Sequence, residues 1–170
     1  VWADALTCRR GVLTMARLPK ATHSGKLKFA NVPCFVLEDG RRVISGRGMT
    51  SAIGMRGRGQ GVTRIAGHPS IKGHLNNDLV MAIQTPIKFA GIGGRETDGF
   101  EATILNDLCE AILTARDAGE LKTEQEKRYA KYADMVTRAL AKVGIISLVD
   151  EATGYQDIRA RRALEEILDK

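Results

Sequence analysis

Cysteine, histidine, proline and tryptophan are all scarce in this 170-residue chain, at three, three, four and one residues. The cysteines, Cys8, Cys34 and Cys109, are far apart and form no C-x-x-C pair, which argues against a zinc ribbon and against a disulfide framework. Cys34 and Cys109 then read as small core residues of a reduced, cytoplasmic protein. Long apolar runs are missing too: no window approaches ~20 consecutive apolar residues, so no membrane-spanning helix is expected. Acidic residues are short in one half only. Residues 1–90 carry 14 Lys and Arg against 4 Asp and Glu, and residues 91–170 carry 12 against 16. The formal charge of +6 is therefore +10 in the first stretch and −4 in the second. A basic half of this kind suits a polyanion.

What is present suggests an α+β protein: an N-terminal β-hairpin module followed by a mostly helical C-terminal half. Residues 1–22 are expected to be a disordered tail, with Met15 a candidate biological start. Residues 23–94 form the basic module, and residues 95–170 a helical subdomain of about three helices. Within the module, residues 26–45 read as β structure, with Asp39-Gly40 as a two-residue type I′ turn. That turn would set Glu38 against Arg41, Val36 against Val43 and Phe35 against Ile44. Arg47 to Ile53 suits two turns of helix ending at Gly54. Residues 62–75 read as irregular, and Asn77 as the cap of a short helix stopped by Pro86. Gly91, Gly93 and Gly94 read as a hinge between the two halves.

Three start signals mark the helices: Asp98 with Glu101, Thr123 with Glu126, and Thr153 with Gln156. The first helix, about 99 to 118, puts Leu105, Leu108, Cys109 and Ile112 on one face and stops at Gly119. In the second, Tyr129, Tyr132, Ala133, Val136, Leu140 and Val143 make a heptad-like seam ended by Gly144. The apolar stretch Ile145 to Val149 is expected to be buried. The last helix, about 155 to 169, carries Ala160, Ala163, Leu164, Ile167 and Leu168 on one side.

Candidate chemistry concentrates in the basic module. Arg41, Arg42, Arg47, Arg56, Arg58, Arg64 and Lys72 are interleaved with glycines. Arginine forks match phosphate oxygens, and glycine lets backbone amides approach a phosphate closely. DNA is the expected partner, held mainly through its phosphates. The alternative is a solvated loop whose arginines serve solubility. Gly57 to Gly61 does not match G-x-G-x-x-G, and no G-x-x-x-x-G-K-[ST] occurs, so no nucleotide cofactor is indicated. His23, His68 and His74 lack companions for a metal site. Asp150 and Glu151 form a carboxylate pair without a His, Lys or metal beside it. No catalytic constellation assembles, and the chain is expected not to be an enzyme. A second expectation concerns protein partners. Tyr129, Tyr132, Val136 and Leu140 suit a homodimer or a docking surface for a repressor protein.

Two motifs carry a resemblance to a known family. The run Phe35 to Ser45 (FVLEDGRRVIS), with the helix ending at Gly54, looks like the hairpin-then-helix opening of Bro/KilA-type phage proteins. With the run Val143 to Gln156 (VGIISLVDEATGYQ), it resembles a family of phage and prophage proteins joining both segments. The resemblance covers roughly residues 24–169. It implies a mobile-element origin, a DNA-binding or antirepressor-like role, and a further C-terminal domain after the last helix. It implies no catalytic residues.

Overall fold

The computed structural model describes residues 17–28, 31–56 and 61–168. The fold is α+β, with an antiparallel sheet in the N-terminal half and a mostly helical C-terminal half. Strands β1 (Ala21–Leu27), β2 (Val32–Leu37) and β3 (Arg42–Ser45) lead into helix α1 (Gly46–Ala52). Short helices α2 (Val62–Ala66), α3 (Pro69–Lys72) and α4 (Asn77–Gln84) follow, then strands β4 (Ile87–Ala90) and β5 (Glu96–Glu101). Helices α5 (Ala102–Asp117), α6 (Glu124–Ala152) and α7 (Tyr155–Leu168) complete the described chain.

The hairpin between β2 and β3 forms, but one residue away from the expected register. Phe35 pairs with Val43 and Val36 with Arg42. Gly40 N donates to Leu37 O, and Leu37 N donates to Arg41 O, both at 2.9 Å, so Glu38, Asp39 and Gly40 make a three-residue turn. A type I′ turn needs two successive left-handed residues, and here only Gly40 is left-handed, at φ +84°. Asp39 instead spends its carboxylate on Arg41, accepting from the backbone N at 3.0 Å and from Nε at 2.8 Å. A slip of one residue exchanges faces, so Phe35 and Val43 share a side with Leu37.

The strand order is β1-β2-β3-β5-β4, with every neighbouring pair antiparallel. The sheet curls until its two edges touch: Lys20, just ahead of β1, forms a parallel bridge with Ala90 at the end of β4. Inside the curl, Leu37, Val43 and Phe89 are fully buried, and Ala21, Phe35 and Ile87 pack on them. The Phe35 and Phe89 rings lie 5.2 Å apart although their strands are not neighbours in the sheet. A Cβ on Gly99 would sit 2.8 Å from the Phe89 ring, so only glycine lets that ring cross β5. Residues 20–22, expected in a disordered tail, are part of this sheet, while residues 1–16 lie outside the described ones.

The outer face carries the main core. Val32, Ile44 and Phe100 meet Met49 and Ile53, Val62 and Ile65, Ile71, Leu79 and Ile83, and the buried faces of α5 and α6. This core draws residues from both sides of position 94. The glycines at 91–94, expected to be a hinge, are the turn of the β4–β5 hairpin. Gly91 N donates to Arg95 O and Gly94 N to Gly91 O. Asp98 is likewise corrected from a helix cap to a strand residue opposite Lys88, and α5 starts after Glu101 without a side-chain cap. Residues 62–75, expected to be irregular, hold α2 and α3. Asn76 rather than Asn77 caps α4, its side chain accepting from Leu79 N at 2.7 Å.

Expectations for the later helices divide. The α5 face is buried as expected, and Gly119 closes it at φ +72°. The capping box of Thr123 and Glu126 is present. Helix α6, however, runs through Gly144 to Ala152, because one glycine inside a long helix costs only about 1 kcal/mol. Thr153 is the C-cap of α6, its hydroxyl donating to Val149 O at 2.7 Å, rather than the N-cap of α7. The turn into α7 is made by Gly154 at φ +68°.

Candidate nucleic-acid interface and helical arm

The predicted basic residues come from different elements. Arg41 and Arg42 stand at the turn end of β3, and Arg47 lies on α1 beyond its other end, about 15 Å away at strand rise. Arg56 follows α1, while Arg64 and Lys72 occupy the last turns of α2 and α3. Arg58 lies outside the described residues. Arg42, Arg47, Arg56, Arg64 and Lys72 are exposed. Among the described residues none of these five pairs with a carboxylate. Arg64 and Lys72 also face the carbonyl ends of their own short helices, a favourable placement for a cation whatever else they bind.

Arg41 differs from the others. Its guanidinium is held by Asp39, with Nη2 2.7 Å from Oδ2. That hydrogen bond raises the Arg41 pKa, and the same partner lowers that of Asp39. Arg41 also lines a cleft of about 560 Å3 between α4, β5 and α5, where Asp78, Glu101 and Asp107 supply the other charges. Its charge therefore serves nearby carboxylates. Lys88 is similarly engaged, at 3.2 Å from Glu96 and 3.3 Å from Asp98, and both hydrogen bonds raise its pKa.

The residues expected to form a partner interface serve mostly the chain's own interior. Tyr129 and Val136 are each 2% exposed, inside the main core. The ring of Tyr132 lies against Gly54, where a Cβ would meet it at 2.6 Å. Leu140 is half-buried against the same core. The apolar surface begins further on. Val143, Ile145, Ile146, Leu148 and Val149, of which the last four were expected to be buried, are each more than half exposed. Gly144 does not stop the helix, so these residues continue outward as a helical arm. Helix α7 folds back on one side of the arm. Gln156 Nε2 reaches Ser147 O at 3.4 Å, and Arg159 pairs with Asp150 at 2.6 Å. Tyr155, the first residue of α7, is 37% exposed.

A third grouping was not anticipated. Glu126, 4% exposed, accepts from Lys122 N and Thr123 N through Oε2 at 2.6 and 2.7 Å, and from Ser70 Oγ through Oε1 at 2.8 Å. His68 Nδ1 stands 3.5 Å from Oε1. The Thr123 amide, then Ser70 and Lys122, hold the Glu126 pKa down at about 2, against the opposing effect of burial. Serine, histidine and carboxylate are near one another, yet the Ser70 hydroxyl donates straight to the carboxylate with no imidazole between them. A serine nucleophile needs the imidazole as its base, so this arrangement ties α3 to α6. His74 similarly meets Glu120, at 3.0 Å. Burial pushes the Cys109 thiol up to about 12. Among the described residues no three His, Cys, Asp or Glu side chains gather as a metal site, and no helix is long and apolar enough to cross a membrane.

No protein-family model, no curated protein and no solved structure matches this chain.

Proposed function

We propose that the chain is a regulatory protein of the phage antirepressor kind that contacts duplex DNA through phosphates. The observation that supports this reading is the set of exposed cations, Arg42, Arg47, Arg56, Arg64 and Lys72, without carboxylate partners among the described residues. Arg41, Lys88 and Arg159 are each engaged by carboxylates, so the free set is not simply every cation of the protein. The two motif resemblances support the same reading. Arg41 drops out of the expected contact set. Five phosphate contacts would give a slope of log affinity against log salt of about −4 to −5. A salt titration of duplex binding tests this, and a flat profile would rule the reading out.

A second reading is favoured by the exposed apolar arm: the C-terminal helices form a protein-interaction surface. Contiguous apolar patches of several hundred Å2 on a protein surface commonly mark such sites. The two readings are compatible, because they use different parts of the molecule.

A further inference from the structure

We infer that the outward face of α6 is a second part of the duplex-binding surface, where Arg128, Lys131 and Lys142 each contact a phosphate. This rests on the DNA reading above. It adds residues from the half of the chain whose net charge is −4, where no nucleic-acid contact is expected from composition.

At 3.6 residues per turn, Arg128, Lys131, Met135 and Lys142 fall within about 60° of one another along α6. Tyr129, Ala133, Val136 and Leu140 point to the other side of the helix, into the main core. Lys131, Met135 and Lys142 are exposed and Arg128 is half-buried. From Arg128 to Lys142 the stripe runs about 21 Å at 1.5 Å per residue. Ser147 and Asp150, through which α7 is fastened, lie further along the helix.

The charge of this stripe is not cancelled by its neighbours on α6. Glu124, one turn ahead of Arg128, is taken by Lys127 at 2.9 Å. Asp134, three residues after Lys131, is held by Arg138 at 2.7 Å and lies 3.8 Å from Arg116. Among the described residues, Arg128, Lys131 and Lys142 pair with no carboxylate.

Arg128 joins the stripe to the basic module. Its Nε donates to Gly54 O at 3.1 Å, and its guanidinium carbon lies 5.9 Å from the centre of the Tyr129 ring. Neither contact uses the two terminal nitrogens, which keep the planar fork that suits a phosphate. Arg56 follows Gly54 by two residues, so its Cα lies within about 8 Å of that glycine's, two steps of 3.8 Å. A cationic surface therefore passes from Arg56 to Arg128 and on along α6.

The arrangement in a line selects the partner. A single small anion needs cations that converge on one point, whereas these are spread along a straight rod. B-DNA carries one phosphate charge per about 1.7 Å of its axis, so about 12 lie within the length of the stripe. Successive cations can meet successive phosphates without any bend in the helix.

Fluorescence anisotropy of the full chain on a labelled duplex, at several salt concentrations, tests the inference. Eight phosphate contacts, at about 0.9 each, give a slope of log affinity against log salt near −7, whereas the five from the module alone give about −4 to −5. Arg128→Gln with Lys131→Gln and Lys142→Gln should return the slope from near −7 to about −4 to −5. The control removes the same charge from cations already paired with carboxylates: Lys88→Gln, Lys127→Gln and Arg159→Gln. Its slope should stay close to the wild-type value. If a thermal melt shows the Arg128 change to unsettle the fold, Lys131→Gln with Lys142→Gln replaces the triple variant, with a slope reduced by about 2. A wild-type slope of −4 to −5 that the α6 variants leave unchanged overturns the inference and leaves the DNA reading standing. An equal loss in the control also overturns it, since net charge alone would then account for the effect. A wild-type chain with a flat profile overturns the DNA reading and the inference together.

Discussion

Ser70 and Glu126, 56 residues apart in the chain, are joined by a 2.8 Å hydrogen bond from the serine hydroxyl to the carboxylate. The same carboxylate closes the first turn of α6, so one side chain both starts the long helix and fastens it to α3. Replacing Glu126 with glutamine should destabilise the fold by about 2–3 kcal/mol, the scale for a charged group with several buried donors. Urea denaturation of the two proteins at neutral pH measures the difference.

Acid should weaken the same junction. The Glu126 pKa lies at about 2 in the folded chain, below its ordinary value of 4.5. A depressed carboxylate pKa contributes stability that is complete above the unfolded value and is lost as pH falls through the folded one. The stability gap between wild type and Glu126→Gln should therefore be full at pH 6 and narrow progressively between about pH 4.5 and 2. A gap that is constant across that range would show that the charge of Glu126 is immaterial.

Gly54→Ala should cost more than a mid-helix glycine change. Position 54 has φ +71°, which costs an L-residue roughly 1–2 kcal/mol, and the added methyl would overlap the Tyr132 ring. A second substitution, Tyr132→Ala, removes the overlap but not the backbone cost. Thermal melts of the two single variants and the double should therefore show a double variant less damaged than the sum of the singles.

Phe89→Ala should destabilise by about 3–5 kcal/mol, because its ring fills the inside of the curled sheet where few other side chains reach. Chemical denaturation would register the loss. A change below about 1 kcal/mol would mean that the inner cluster collapses around the vacancy.

Under the DNA reading, the cations should not be equivalent. Arg42→Ala with Arg47→Ala and Arg64→Ala should weaken duplex binding and reduce the salt slope by about 3, roughly one unit per lost phosphate contact. Arg41→Ala should change the slope little, since its guanidinium is committed to Asp39. Fluorescence anisotropy at several salt concentrations separates the two outcomes.

Much of the helical layout was readable from local chemistry. Thr123 and Glu126 announce α6 through a reciprocal cap, and Gly54 and Gly119 mark helix ends that the structure places where the glycines fall. Errors arose where distant pairing overrides local preference. Glu96-Thr-Asp-Gly looks nothing like an interior strand, yet β5 lies between β3 and β4, and its Phe100 and Gly99 are chosen by what they face across the sheet. The same tertiary demand turns Asp98 from a helix cap into a partner of Lys88. Gly144 misled for the opposite reason: the helix around it is long enough to absorb it, so the apolar run beyond stays helical and exposed. Which arginines remain unpaired could not be read in advance, because the preference of Arg41 for Asp39 depends on a three-residue turn.

Helix α6 is one unbroken rod of 29 residues, about 44 Å, clamped near its start by Glu126 and, for its last twelve, beyond the core with only α7 against it. Such a rod works as a lever. A tilt of about 5° in the clamped part swings the free tip by about 2 Å beyond the core's edge, given the 1.5 Å rise per residue. A load at the tip returns along the same rod to Ser70, Tyr132 and Gly54. Whatever grips the outer end thus exerts torque on the interior, without any loop in between to absorb it.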